Sequence, residues 1–178
     1  MSTTDPTPRR ILVYGVTGSG KSHAARRIAE LRGLPLVLAD EVAWQPGWQQ
    51  LEPERQREVF AALAAGDRWV FDTAYGIWLD VVLPRVDLIV ALDYPRWFSL
   101  QRLLRRTGRR IVTREPICNG NAESLRMAFS RDSIIAWHFR SFPRKRRRIR
   151  TWAQDPASPP MRRFRRARHL NRWLDDHP

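Results

Sequence analysis

Eight residues near the start of the chain carry the clearest chemistry. Gly15-Val16-Thr17-Gly18-Ser19-Gly20-Lys21-Ser22 fits the pattern G-x-x-x-x-G-K-[ST] in full. With this chain's glycine, lysine and hydroxyl content, a chance match occurs in about 5 of 10,000 such sequences. Glycines let backbone N–H groups turn toward a phosphate with no Cβ in the way. The start of a helix adds positive potential at the same point. Gly15, Thr17, Gly18, Ser19 and Gly20 would form the cradle. Lys21 would bridge β- and γ-phosphates as a point charge, and the Ser22 hydroxyl would ligate Mg²⁺. Only two lysines occur, Lys21 and Lys145, against 30 arginines.

Other residues extend this chemistry. Asp72 closes the apolar run Trp69-Val70-Phe71, at the strand end where α/β proteins bind ligands. It would hold Mg²⁺ through water or act as a base; the plainer alternative is a helix N-cap. Asp40 follows Leu36-Val37-Leu38-Ala39. It would accept a proton or hydrogen bond from a substrate hydroxyl, or serve as a cap or loop carboxylate. Trp44 and Trp48 flank Pro46-Gly47; they either stack on a substrate ring or pack a loop on the core. Arg102, Arg105 and Arg106 stand at i, i+3 and i+4, so one helix face presents them to a phosphate or to solvent. Arg126, Arg131 and Arg140 are further candidates. Asp93 reads as a turn residue, His138 and His169 as surface or core residues, and Trp97, Trp137 and Trp173 as core.

These residues need elements to hold them. Ile11–Tyr14 reads as a buried strand, and Lys21 to about Arg32 as a helix with Gly33 at its C-cap. Leu36–Ala39 is a second strand. Residues 40–51 read as loop, and Glu52-Pro53 opens a helix to about Ala65. Trp69–Phe71 and Val86–Leu92 are the third and fourth strands, with a helix over 76–83 ended by Pro84. Such alternation implies βαβ units and a parallel sheet covered by helices. After Pro95 an amphipathic helix is expected. Gly108–Asn121 then reads as a mobile loop, and Ala122 to about Phe142 as a long helix broken or restarted at Pro143. Met161–Arg166 reads as an edge strand and Leu170–Leu174 as a closing helix.

The expected organisation is a disordered leader over 1–8 and one domain over 9–178, with a lid at about 107–122. The 178 residues carry a net charge of +14. Residues 1–90 are near neutral at −1, while residues 91–178 carry +15. That asymmetry suggests a polyanionic ligand near the second half. The single Cys118 excludes an internal disulfide and a multi-cysteine zinc site. No apolar run reaches the roughly 20 residues that span a bilayer, so a cytoplasmic protein with no membrane partner is expected. No Asn-Lys-x-Asp guanine reader and no transporter-type serine-glycine signature is present. A small kinase fits best, because phosphoryl transfer needs positioning and positive charge. Arg102, Arg105, Arg106, Arg109, Arg110 and Arg114 lie where small P-loop kinases carry an arginine-rich lid. Of these, Lys21, Asp72, Arg102 and Arg106 are the candidate catalytic groups.

The chain from about Ile11 onward resembles the adenylate-kinase-related P-loop proteins known as DNA topology modulation proteins. The residues that carry the resemblance are Gly15–Ser22, Leu38-Ala-Asp40, Trp44-Gln-Pro-Gly-Trp48, Trp69-Val-Phe-Asp72 with Tyr75, Leu79-Asp80, Leu92-Asp-Tyr-Pro-Arg-Trp97 and Phe142-Pro-Arg-Lys-Arg-Arg147. The resemblance implies ATP binding and an adenylate-kinase-like three-layer α/β/α fold with a mainly parallel five-stranded sheet. It also implies that the region of Asp40, Trp44 and Trp48 meets the acceptor. One stretch departs from the family pattern. Asp72 is usually followed there by Gly-Asn-Tyr and then by arginines, whereas this chain has Thr73-Ala74-Tyr75-Gly76-Ile77. The arginines that would clamp an acceptor phosphate are missing, unless Arg55, Arg57 or Arg85 replaces them.

Three functions follow from these readings. The first is an ATP- and Mg²⁺-dependent kinase for a nucleotide or small metabolite. The second is an ATP-dependent nucleic-acid-binding protein that uses the basic run Arg144–Arg150. The third is a P-loop protein that binds ATP as a regulator without transfer.

Overall fold

The computed structural model describes residues 7–73, 75–113 and 133–176. Cys118, Arg114, Arg126, Arg131 and most of the expected leader and lid lie outside the described residues. So does the expected helix start over 122–132.

Five parallel strands form the main sheet: β1 (Arg10–Gly15), β2 (Leu36–Leu38), β5 (Trp69–Thr73), β6 (Leu88–Leu92) and β7 (Met161–Phe164). Their spatial order is β2-β5-β1-β6-β7, and every pairing is parallel. The three-layer α/β/α expectation is therefore met. Strand residues alternate between two cores, as a period of two requires. Ile11, Val13, Val70, Val90 and Leu92 face α1 (Lys21–Arg32) and α7 (Ala167–Asp176). Leu12, Tyr14, Phe71, Ile89 and Ala91 face α3 (Pro53–Ala64), α4 (Leu79–Val82) and Ile149 of α6 (Ile134–Gln154).

Several local expectations change. Residues 40–51 are not simply loop. Ala39–Ala43 forms a short helix, α2, and Trp44–Gln45 pairs antiparallel with Gln49–Gln50 as β3 and β4. The helix after Pro95, α5, runs from Arg96 to Thr113, so Gly108 lies inside a helix and residues 108–113 of the expected mobile loop are helical. Pro143 lies within α6 and does not end it. Ser133 caps α6, its hydroxyl accepting from the Ala136 N–H at 3.1 Å. Trp97 and Trp137 are exposed, at 67% and 40%, rather than core. Trp173 packs against the core with Phe164.

β1 lies at the middle of the sheet, flanked by β5 and β6. Its carboxyl end is the point where the connections diverge to the two sides. Gly15, Asp72 and Asp93 all gather at that edge.

Candidate active site

The P-loop is built by β1 handing the chain to α1. Gly18 and Gly20 adopt φ +80° and +90°, a region that penalises any side chain. At Gly18 space forbids a side chain as well. A Cβ on Gly18 would stand 2.3 Å from the Ser99 carbonyl oxygen of α5, and one on Gly20 would stand 2.8 Å from the Arg102 guanidinium. Gly20 is the N-cap of α1, and no side chain caps that end. The α1 N–H groups are thus left for a ligand. The Lys21 ammonium donates weakly to the Val16 carbonyl at 3.4 Å. Ser19 is buried, and its hydroxyl has no hydrogen-bond partner among the described residues. A cradle that excludes side chains and an uncapped helix start match a bound polyphosphate.

Asp72 pairs in register with Val13 of β1 and Leu38 of β2. Alternation sends its side chain to the same face as Val70, the face α1 covers. There the Ser22 hydroxyl and the Lys21 ammonium both act on its charge. Burial pushes the Asp72 carboxyl above its ordinary range. Lys21 and Ser22 pull it back down, and Asp40 pushes it further up. A buried carboxylate beside a hydroxyl and an ammonium is a donor set suited to a hydrated Mg²⁺.

Asp40 sits in the first turn of α2 and is exposed. The Tyr75 hydroxyl donates to its Oδ1 at 2.8 Å, and the Trp44 indole N–H donates to the Tyr75 oxygen at 2.8 Å. Trp44 and Trp48 meet edge to face at 5.8 Å. Trp48 holds φ at +59°, a conformation uncommon for a bulky residue. Arg55 and Arg57 are engaged elsewhere. Arg55 pairs with Glu58, and Arg57 forks onto Asp80 and donates to the Ile77 carbonyl. Arg85 precedes β6, at the opposite edge of the sheet.

From α5, Ser99, Arg102 and Leu103 lie against the P-loop glycines. Arg106 is half-buried one turn on, whereas Arg105 is exposed. From α6 comes a contribution the sequence did not reveal. His138 is fully buried, and its Nδ1–H donates to the Thr17 carbonyl at 3.0 Å. A carbonyl can only accept, so this bond fixes the Nδ1–H tautomer. Burial lowers the His138 pKa, which the Thr17 bond partly offsets.

The run Arg144–Arg150 is not a single basic stripe. Lys145 and Ile149 are buried. Arg146 donates to Asp93 at 3.0 Å, and Arg144 lies 5.5 Å from the Trp137 ring. Arg148 reaches the carboxyl edge, 3.1 Å from where a Gly76 Cβ would stand. It also holds down the Tyr14 hydroxyl, whose pKa burial raises. Only Arg147 and Arg150 are left simply exposed. A shallow concavity of about 470 Å³ lies beside the run, lined by Arg146, Arg150, Ala153, Gln154, Arg163 and Arg165. Two of its four arginines are already paired with Asp93.

Three solved structures set the fold in context. The chain resembles a shikimate kinase from Acinetobacter baumannii in complex with shikimate, with a TM-score of 0.57 at 16% identity, over 96% of this chain and 90% of that one. A gluconokinase from Sinorhizobium meliloti aligns over 95% of both chains, with a TM-score of 0.51 and 16% identity. A sugar kinase from Janibacter aligns over 94% of this chain and 92% of that one, at 0.52 and 18%. At such identities the likeness is one of fold. No protein-family profile matches the chain, and no curated protein matches it. The DNA topology modulation resemblance therefore rests on its motifs alone. Among the described residues, no helix is long and apolar enough to cross a membrane.

Proposed function

We propose that the chain is a P-loop phosphotransferase that moves the γ-phosphoryl group of ATP to a hydroxyl of a small metabolite or nucleotide. The observation that carries this reading is the meeting of an intact phosphate cradle with Ser22 and buried Asp72 beside Lys21. Asp40 stands close enough to Asp72 to shift its titration. Backbone N–H groups of Gly18 and of Gly20 to Ser22 would bind the phosphates, the Ser19 N–H being taken by the Val16 carbonyl at 3.1 Å. Ser22 would ligate Mg²⁺, and Asp72 would hold it through water; when bound, the ion neutralises charge on the transferring group. Lys21 and Arg102 would stabilise the transferred oxygens. Asp40, oriented by Tyr75, would accept the hydroxyl proton of the acceptor. Trp44 and Trp48 would wall the acceptor side.

The fold neighbours favour a hydroxylated metabolite, since their described activities are kinases of that kind. The internal pairing of Arg55 and Arg57 agrees, because it leaves a nucleoside monophosphate without an evident clamp there. With Mg-ATP and a panel of sugars, hydroxy acids and nucleosides, one acceptor class should raise ADP release and gain phosphate. Lys21→Ala should lose nucleotide binding and transfer. Equal, acceptor-independent ADP release by both proteins would refute the proposal.

A further inference from the structure

Lys145, the chain's second lysine, lies two turns after His138 on the same buried face of α6, and only 3% of it is exposed. Among the described residues its ammonium makes no hydrogen bond and no ion pair; the nearest ring, Trp137, lies 5.6 Å away. A buried residue whose ammonium has only a ring as partner leaves its hydrogen-bonding capacity unused. Ser141, one turn earlier on that face, is also buried, with a hydroxyl that lacks a partner among the described residues. His138 shows where the face points, because it touches the Thr17 carbonyl of the P-loop.

The charged groups facing Lys145 are Lys21 from α1, Asp40 from α2, and Arg144 and Arg148 from α6 itself. His138 feels it as well. Asp40 is the one anion among them, and it already accepts from Tyr75. Burial and the neighbouring cations bring the Lys145 pKa down to about 7, burial having the larger effect. An anion close to both lysines would cancel the repulsion and favour the charged amine against its burial.

We propose that Lys145 is a further phosphate-binding residue, whose ammonium contacts the γ-phosphoryl oxygens of ATP. The proposal rests on the phosphotransferase reading. It adds one proton to the binding equilibrium: above neutral pH the Lys145 amine takes a proton from solvent as the γ-phosphoryl arrives. ADP, which lacks that group, takes up less.

Calorimetric titrations with Mg-ATP and Mg-ADP, in buffers of different ionisation enthalpy near pH 8, test this directly. Wild-type protein should prefer ATP and take up nearly one proton per ATP. Lys145→Met should lose about tenfold of the ATP preference, the scale of one charge-assisted hydrogen bond, together with the proton uptake. Lys145→Arg should keep the preference and lose the uptake. Melting without ligand gives a second readout. Lys145→Met should melt higher than wild type near pH 7, and the gap should close toward pH 10, where the free amine no longer resists burial.

Unchanged nucleotide preference and proton uptake in Lys145→Met, with Lys21→Ala unable to bind, would overturn the role of Lys145 and leave the phosphotransferase reading standing. Wild-type protein that fails to bind Mg-ATP would overturn both. A melting gap independent of pH would mean a solvated amine and would also overturn it.

Discussion

Asp72 concentrates the electrostatic tension of the site in one side chain. Burial raises its pKa above the ordinary 3.8, against the pull of Lys21 and Ser22. A carboxyl with a raised folded pKa costs stability once it ionises. That cost begins near the unfolded value and grows as pH rises through the folded one. Asp72→Asn removes the cost and keeps the shape. The variant should be more stable than wild type at pH 7, and the gain should vanish near pH 4, as denaturant melts at several pH values would reveal. If Asp72 holds Mg²⁺ as proposed, transfer should fall by a factor of about 100 or more, because the carboxylate would then fix the ion's position and charge balance. A variant with full activity would remove Asp72 from the reaction. Tyr75 acts at the same scale through its hydrogen bond to Asp40. Its number appears in the Trp69–Tyr75 block of the sequence, but the partnership joins residues 35 apart, which no local pattern encodes.

At the scale of elements, legibility followed the range of the signal. β1, α1 and its Gly33 cap were readable because apolar spacing, the glycine pattern and capping lie within one short stretch. The five parallel strands followed from alternation of strand and helix. α6 is legible as a helix up to about Phe142, but Pro143 reads as a break or a restart, whereas the long helix tolerates it at the cost of one hydrogen bond. That ambiguity leaves His138 and Lys145 unconnected in the sequence, because they share a face only if the helix is continuous. It also made Arg144–Arg150 look like a uniform charge run. The exposed Trp97 and Trp137 were misplaced for a related reason: helical spacing shows that a stripe exists, while the packing of α5 against α6 decides which part is covered. The structural role of α6 is testable through His138. Without the ring, the Thr17 carbonyl loses its donor and the P-loop loses one wall. His138→Ala should weaken Mg-ATP binding about 5- to 20-fold, as a lost buried hydrogen bond and cavity imply. His138→Asn should recover part of it by donating to the same carbonyl. Equal loss in both variants would argue for packing alone.

Across the whole molecule, the basic second half has to be held on a chain of net charge +14. Asp93 does much of this. It is 3% exposed at the end of β6, and its N–H donates to the Phe164 carbonyl of β7 at 2.9 Å. Its carboxylate accepts from Arg146 of α6 at 3.0 Å and from the Arg163 Nε of β7 at 2.9 Å. One anion thus ties three elements behind the P-loop and cancels repulsion between two guanidinium groups. The turn role read for Asp93 from sequence is correct in place but omits this clasp, whose partners stand 53 and 70 residues away. Asp93→Asn keeps the size and leaves two cations facing an uncharged amide. The carboxylate removed is buried, but both arginines keep solvent contact, so the loss is that of charge-assisted hydrogen bonds, about 1–3 kcal/mol, and urea unfolding should shift by that amount. Part of the loss is repulsion between Arg146 and Arg163, both half-exposed, and salt screens such charges over about 3 Å at 1 M. The deficit should therefore shrink as salt rises. Nucleotide affinity should fall with it, because α6 carries His138 and Lys145 into the site from the helix that Asp93 anchors. A small deficit that ignores salt would mean that apolar packing of Phe164 and Ile149 holds α6 and β7 without the clasp.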